Sequence, residues 1–283
     1  MEARELPGSP EAAPDLGPIH PGSGRRGQLK RVGGAVAAAG LVLAKLGAKV
    51  KVLLVALPKL KLLTTSGSML VSIVAYQLIF GWPFAVGFVM LLLLHELGHV
   101  IQLRREGVEA SAPMFIPFLG AVISAKSLGE DAAAEARVGL AGPILGSLAS
   151  LVPLVVWLAT GSDFWRALAF IGFFLNLFNL VPILPLDGGR AMAALSPWVW
   201  LAGLAAMVAL VVFFPSPILL LIVVLGGIES WRRWKARNTP EARAYHRIPT
   251  RTRVLVAATY LLLIATLAVA VSATHLPRGL SDV

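Results

Sequence analysis

Apolar positions along this chain come in long blocks rather than in the short alternating patches of a water-soluble fold. From Leu62 to Leu94 there is no Asp, Glu, Lys or Arg, and a helix that crosses a bilayer needs about 20 apolar residues. Gly81-Trp82-Pro83 interrupts that run, because Gly and Pro together favour a turn, and so predicts helices over 65–82 and 84–103. Further apolar stretches predict helices over 138–160, 164–186, 197–214, 216–230 and 254–274, with a tight turn at Pro215-Ser216-Pro217. The expected fold is an all-α polytopic membrane protein of six to seven transmembrane helices. The stretch 111–126 is too short and too Pro-broken for a span. Its Phe115-Ile116 and Ala121-Val122-Ile123 suit the strands of a short β-hairpin or a re-entrant loop.

Composition supports the membrane reading. The 283 residues are 57% hydrophobic and only 14% charged, whereas ordinary globular domains carry about 25% charged residues. The net charge of +10 fits basic cytosolic loops, so no nucleic-acid partner is expected. Placing the loop 231–253 in the cytosol puts every Lys and Arg except Arg166 and Arg278 on that side. Such asymmetry is what the positive-inside rule expects, and it orients a multi-pass protein of the cell (inner) membrane with its N-terminus cytosolic. Residues 1–31, punctuated by Pro7, Pro10, Pro14, Pro18 and Pro21, read as a disordered tail without a cleavable signal. Residues 32–64 carry Lys45, Lys49, Lys51, Lys59 and Lys61 and read as an interfacial amphipathic segment. A membrane-embedded core over 65–190 and C-terminal helices over 191–283, around the basic loop 231–253, complete the organisation. Trp198, Trp200, Trp231 and Trp234 read as interfacial belts.

The chemistry sits inside the second helix. His95-Glu96-Leu97-Gly98-His99 places two imidazoles one turn apart on one helical face, close enough to share a zinc ion. Glu96 beside them is positioned to take a proton from an activated water. Ionisable groups within a bilayer are costly and mark function. A catalytic zinc usually takes three protein ligands. There is no Cys, and His20, His246 and His275 lie outside the spans, so a carboxylate is expected to complete the set. Asp187 is the leading candidate, since it follows a helix that Pro182 and Pro185 would break, with Gly188 and Gly189 allowing a sharp turn.

These residues carry a family resemblance. His95-Glu-Leu-Gly-His99, followed by Asn179-Leu-Val-Pro-Ile-Leu-Pro-Leu-Asp187-Gly-Gly, resembles the site-2 protease family of intramembrane zinc metalloproteases. Gly142-Pro-Ile-Leu-Gly146 also resembles that family's middle-helix pattern. The resemblance implies a three-helix catalytic core over 84–190, one Zn²⁺ per chain on His95, His99 and Asp187, and Glu96 activating water. It also implies that the segment 111–126 pairs with an extended substrate. Asn179, Gly142, Pro182 and Pro185 are candidates for supporting the ligands or substrate, while Asn176 reads as polar glue between helices. The expected reaction is cleavage of single-span membrane proteins, such as membrane-tethered regulators of the anti-sigma-factor kind, near the cytosolic face of the bilayer. The alternative is a non-proteolytic membrane protein that uses the zinc site for metal handling or for binding transmembrane partners.

Overall fold

The computed structural model describes residues 65–275 apart from Leu119 and Lys126. The expected tail and interfacial segment over 1–64 lie outside the described residues. Helix α1 spans Thr65–Phe80 and α2 spans Trp82–Arg105. They are separated by Gly81 at φ 77°, a left-handed conformation that Gly adopts without strain. Two short strands follow, β1 (Met114–Ile116) and β2 (Gly120–Val122), paired antiparallel with Phe115 opposite Ala121. Helix α3 covers Ala132–Thr160, α4 Asp163–Asn179 and α5 Asp187–Ala191, and a single 3-10 turn follows at Met192–Ala194. Helices α6 (Pro197–Phe213), α7 (Pro217–Ala236), α8 (Pro240–Tyr245) and α9 (Thr250–Thr274) complete the described chain.

Three of these helices, α2, α3 and α9, are long and apolar enough to cross a membrane; α1 and α6 are shorter apolar helices. Their outward faces are apolar as well. Leu148, Val152 and Val155 of α3 and Leu255, Leu262 and Val269 of α9 are all exposed at helical spacing, a pattern that suits hydrocarbon and not water.

Several helix boundaries differ from expectation: α7 runs past the expected 230 to Ala236, α9 begins at Thr250 ahead of the expected 254, and the start of α3 and the end of α4 also move. Helix α3 begins at Ala132, ahead of the expected 138, because Asp131 caps it by accepting the Ala134 amide at 2.8 Å. Its charged first turns are tolerated because Glu135 and Arg137 find ionic partners in Arg233 and Glu106, at 2.7 Å each. Helix α4 stops at Asn179, short of the expected 186. Pro182 has no amide to continue the ladder, and Val181 before it is pushed away from helical geometry. The resulting loop 180–186 is anchored by Tyr260 of α9, whose hydroxyl donates to the Leu180 carbonyl at 2.6 Å.

Charged contacts sort the helix ends. The C-terminus of α2 meets the N-terminus of α3 through Glu106 and Arg137, and α7 meets the same end of α3 through Arg233 and Glu135. At the far end, Arg166 of α4 donates to the carbonyls of Thr274 and His275 and lies over the Trp157 ring.

The β-hairpin is tied to α1 through hydroxyl groups. The Phe115 amide donates to Ser68 Oγ at 3.0 Å, and the Phe118 amide to the Tyr76 hydroxyl at 3.1 Å. Replacing Ser68 with Ala leaves the buried Phe115 amide without its acceptor. This substitution is expected to destabilise the hairpin by about 1 kcal/mol, read as faster hydrogen exchange at Phe115 with unchanged exchange along α9.

Candidate metal centre

The His95 and His99 rings leave α2 on its buried face, 2% and 4% exposed as residues. Asp187, at the first position of α5, reaches them from a stretch of chain far away in sequence. Its Oδ2 lies 3.1 Å from His95 Nε2 and 3.2 Å from His99 Nε2, and the two Nε2 atoms are 3.3 Å apart. His95, His99 and Asp187 thus form one buried group whose ligand atoms all lie within 4.8 Å of one another.

The outer nitrogens decide what the inner ones can do. His99 Nδ1 sits 2.8 Å from the Val138 carbonyl, which can only accept, so this nitrogen carries the hydrogen. Asn176 spends its amide donor on the Gly172 carbonyl at 2.7 Å and so offers Oδ1 to His95 Nδ1 at 2.8 Å. In its neutral form each ring therefore bears its proton on Nδ1 and turns an unprotonated Nε2 inward. Two imidazole lone pairs and a carboxylate oxygen then face one another without a donor between them. A divalent cation turns that repulsion into ligation, and a nitrogen–nitrogen–oxygen donor set is the kind that catalytic zinc takes.

The space for this arrangement comes from small residues. A Cβ on Gly142 of α3 would collide with the His99 ring, one on Gly146 with the Asn176 amide, and one on Gly98 of α2 with the Ala141 carbonyl. Gly139 likewise faces the backbone of Asp187 and Ala191. Side chains at these points would push α3 away from α2, α4 and α5 together.

Glu96 is half-buried next to the group and not part of it. It lies within electrostatic reach of both imidazoles, Asp187 and Arg190, and makes no hydrogen bond to a described residue. Of the sequence candidates, the structure brings together His95, His99, Asp187 and Gly142. Pro182 and Pro185 sit in the loop that ends α4, with the Pro182 carbonyl packed where a Gly203 side chain would go and Pro185 exposed. Asn179 is half-buried, and its side chain makes no hydrogen bond to a described residue. Asn176, which reads from the sequence as helix glue, is the asparagine in contact with His95. Its signal was present in the Gly146 that accommodates it, though only packing reveals the match.

Residues 83–162 match Peptidase family M50. Zinc metalloprotease MJ0392 of Methanocaldococcus jannaschii is 32% identical over 119 residues, covering 39% of this chain and 34% of that protein. Putative zinc metalloprotease Rip3 of Mycobacterium tuberculosis is 36% identical over 123 residues, covering 39% of this chain and 30% of that one. Probable zinc metalloprotease EGY1, chloroplastic, of Arabidopsis thaliana is 34% identical over 86 residues, 29% of this chain and 16% of that protein. The chain thus matches these relatives over about a third of their length or less.

Gly142→Ala is expected to displace the His99 ring and weaken zinc binding by about ten-fold or more, measured by metal content after dialysis, with helical circular dichroism preserved. Asn176→Ala is expected to act in the same direction by freeing the His95 ring.

Proposed function

We propose that this chain, which carries a Peptidase family M50 domain over residues 83–162, is an intramembrane zinc metalloendopeptidase. Its substrates on this reading are single-span membrane proteins, including membrane-tethered regulators such as anti-sigma factors, cut in or near the transmembrane segment. The observation that supports it best is the buried convergence of His95 Nε2, His99 Nε2 and Asp187 Oδ2 beside the half-buried Glu96. One zinc ion held by these three residues supplies Lewis acidity toward water and a peptide carbonyl.

The remaining work falls to the chain itself. Glu96 accepts a proton from the attacking water as the new C–O bond forms. It returns that proton to the amine nitrogen as the C–N bond breaks, so that it ends each turnover ionised. Asn176 and the Val138 carbonyl hold the Nδ1 hydrogens, which keeps both Nε2 lone pairs aimed inward. The substrate helix must unwind before hydrolysis, because its carbonyls are otherwise hydrogen-bonded. The edge of β2 away from β1 has no backbone partner among the described residues, and an unwound segment can add there as a strand.

We further read α1, α4, α6 and α7 as spans alongside α2, α3 and α9. The end that holds Arg137, Arg233 and Arg253 then faces the cytosol of a cell (inner) membrane, as the positive-inside rule favours. Water reaches the centre from that face.

Glu96→Gln is expected to abolish cleavage of a single-span reporter in proteoliposomes while zinc content stays near one per chain. Cleavage at the wild-type rate by this variant would overturn the protease assignment and favour a non-proteolytic zinc protein. Asp187→Ala is expected to lose both zinc and cleavage.

A further inference from the structure

Residues 197–253 follow the segment matched by family M50 and supply no atom to the metal group, yet they converge on the chain just beyond Asp187. Trp200, expected at a lipid interface along with Trp198, Trp231 and Trp234, is instead only 1% exposed. Its indole nitrogen donates to the Gly189 carbonyl at 2.7 Å, two residues past Asp187.

The indole is held in turn. The Arg233 guanidinium lies 5.1 Å from the Trp200 ring centroid. That guanidinium is fixed by a fork onto Glu135, at 3.0 and 2.7 Å, and by a bond to Glu229 at 3.1 Å. Glu135 is 1% exposed and also accepts the Tyr245 hydroxyl at 2.8 Å. Burial, and then the Glu135 carboxylate, push the Tyr245 phenol well above its ordinary range, so it remains a donor.

The same strip of chain is gripped at three more carbonyls. His246 Nδ1 donates to Ala193 at 3.0 Å, and Arg253 Nη1 donates to Ala194 at 2.8 Å and Leu195 at 3.0 Å. Carbonyls at the end of a helical turn lack partners within it. Here the partners all come from α6 to α9. Gly188, Gly189, Ala191, Ala193 and Ala194 have too little side chain to hold the strip themselves. A buried ion pair is weak evidence for added stability, but the planar Arg fork fixes orientation.

Resting on the reading of His95, His99 and Asp187 as zinc ligands, we propose that Trp200 is a positioning residue for Asp187. The Arg233–Glu135 fork aims it, and the C-terminal helices thereby complete a metal centre whose histidines come from the family core.

The test uses the full chain in detergent and measures zinc affinity by competition with a chromophoric chelator. Trp200→Phe keeps the ring beneath Arg233 and removes only the N–H. Its zinc dissociation constant is expected to rise about ten-fold or more, as for other residues that orient metal ligands. A purely structural role would show the reverse, a lower melting temperature of zinc-free protein with unchanged affinity. Arg166→Met, which removes comparable carbonyl contacts at the opposite end, is expected to leave zinc affinity as in the wild type. Arg233→Lys keeps the charge but loses the fork and is expected to weaken zinc binding in the same direction; it decides the matter if Trp200→Phe does not fold. Wild-type affinity in the folded variants overturns the proposal. Failure of the wild-type chain to bind zinc, or full binding by Asp187→Ala, overturns the zinc assignment itself.

Discussion

Close backbone approach between α2 and α3 is the constraint on which the rest of the structure depends. At Gly98 and Ala141 the two helices touch main chain to main chain, and at the next residue Gly142 leaves room only for the His99 ring. Between helices surrounded by lipid there is no hydrophobic drive to associate, so packing and hydrogen bonds must supply the cohesion. Each Gly in a helix interior costs roughly 1 kcal/mol relative to Ala. Gly139, Gly142 and Gly146 nevertheless line one face of α3, where they admit the Asp187 segment, His99 and Asn176 in turn. The same helix supplies the Val138 carbonyl that fixes the His99 tautomer. For His99, space, orientation and tautomer all derive from that one face.

Much of this was legible along the chain. The i,i+4 pair of histidines needs only a helix to share a face, and the uncharged run around it guarantees one. Gly81 and the prolines near 215 mark breaks because their backbones allow little else. Asp187 stood out as a candidate because carboxylates near membrane depth are few and the Pro-broken, Gly-rich stretch around it can turn sharply beside a ligand, and the family resemblance pointed to the same residue. What stayed hidden depended on partners remote in sequence. Glu135 and Arg137 look like loop charges until Arg233 and Glu106 arrive to neutralise them, and only then can α3 begin at Ala132.

The two asparagines illustrate the limit. Asn176 and Asn179 lie one turn apart, and which of them faces His95 is set by how α4 is rotated against α3. That rotation is fixed by contacts such as Gly146 against Asn176 and Gly172 against Ser150, which no local pattern encodes. Trp200 is the same problem in reverse. A tryptophan near a helix end suits a lipid headgroup as well as a buried carbonyl, and only the position of Gly189 distinguishes the two.

The grip of Arg253 on Ala194 and Leu195 bears on how the protein is made. During synthesis, the two histidines leave the ribosome long before the arginine that secures the strip next to their carboxylate partner. A chain halted before α9 would hold the imidazoles while the Ala194 and Leu195 carbonyls still lacked Arg253. The order of the sequence thus leaves the anchoring of the strip beside Asp187 to the last of the described helices.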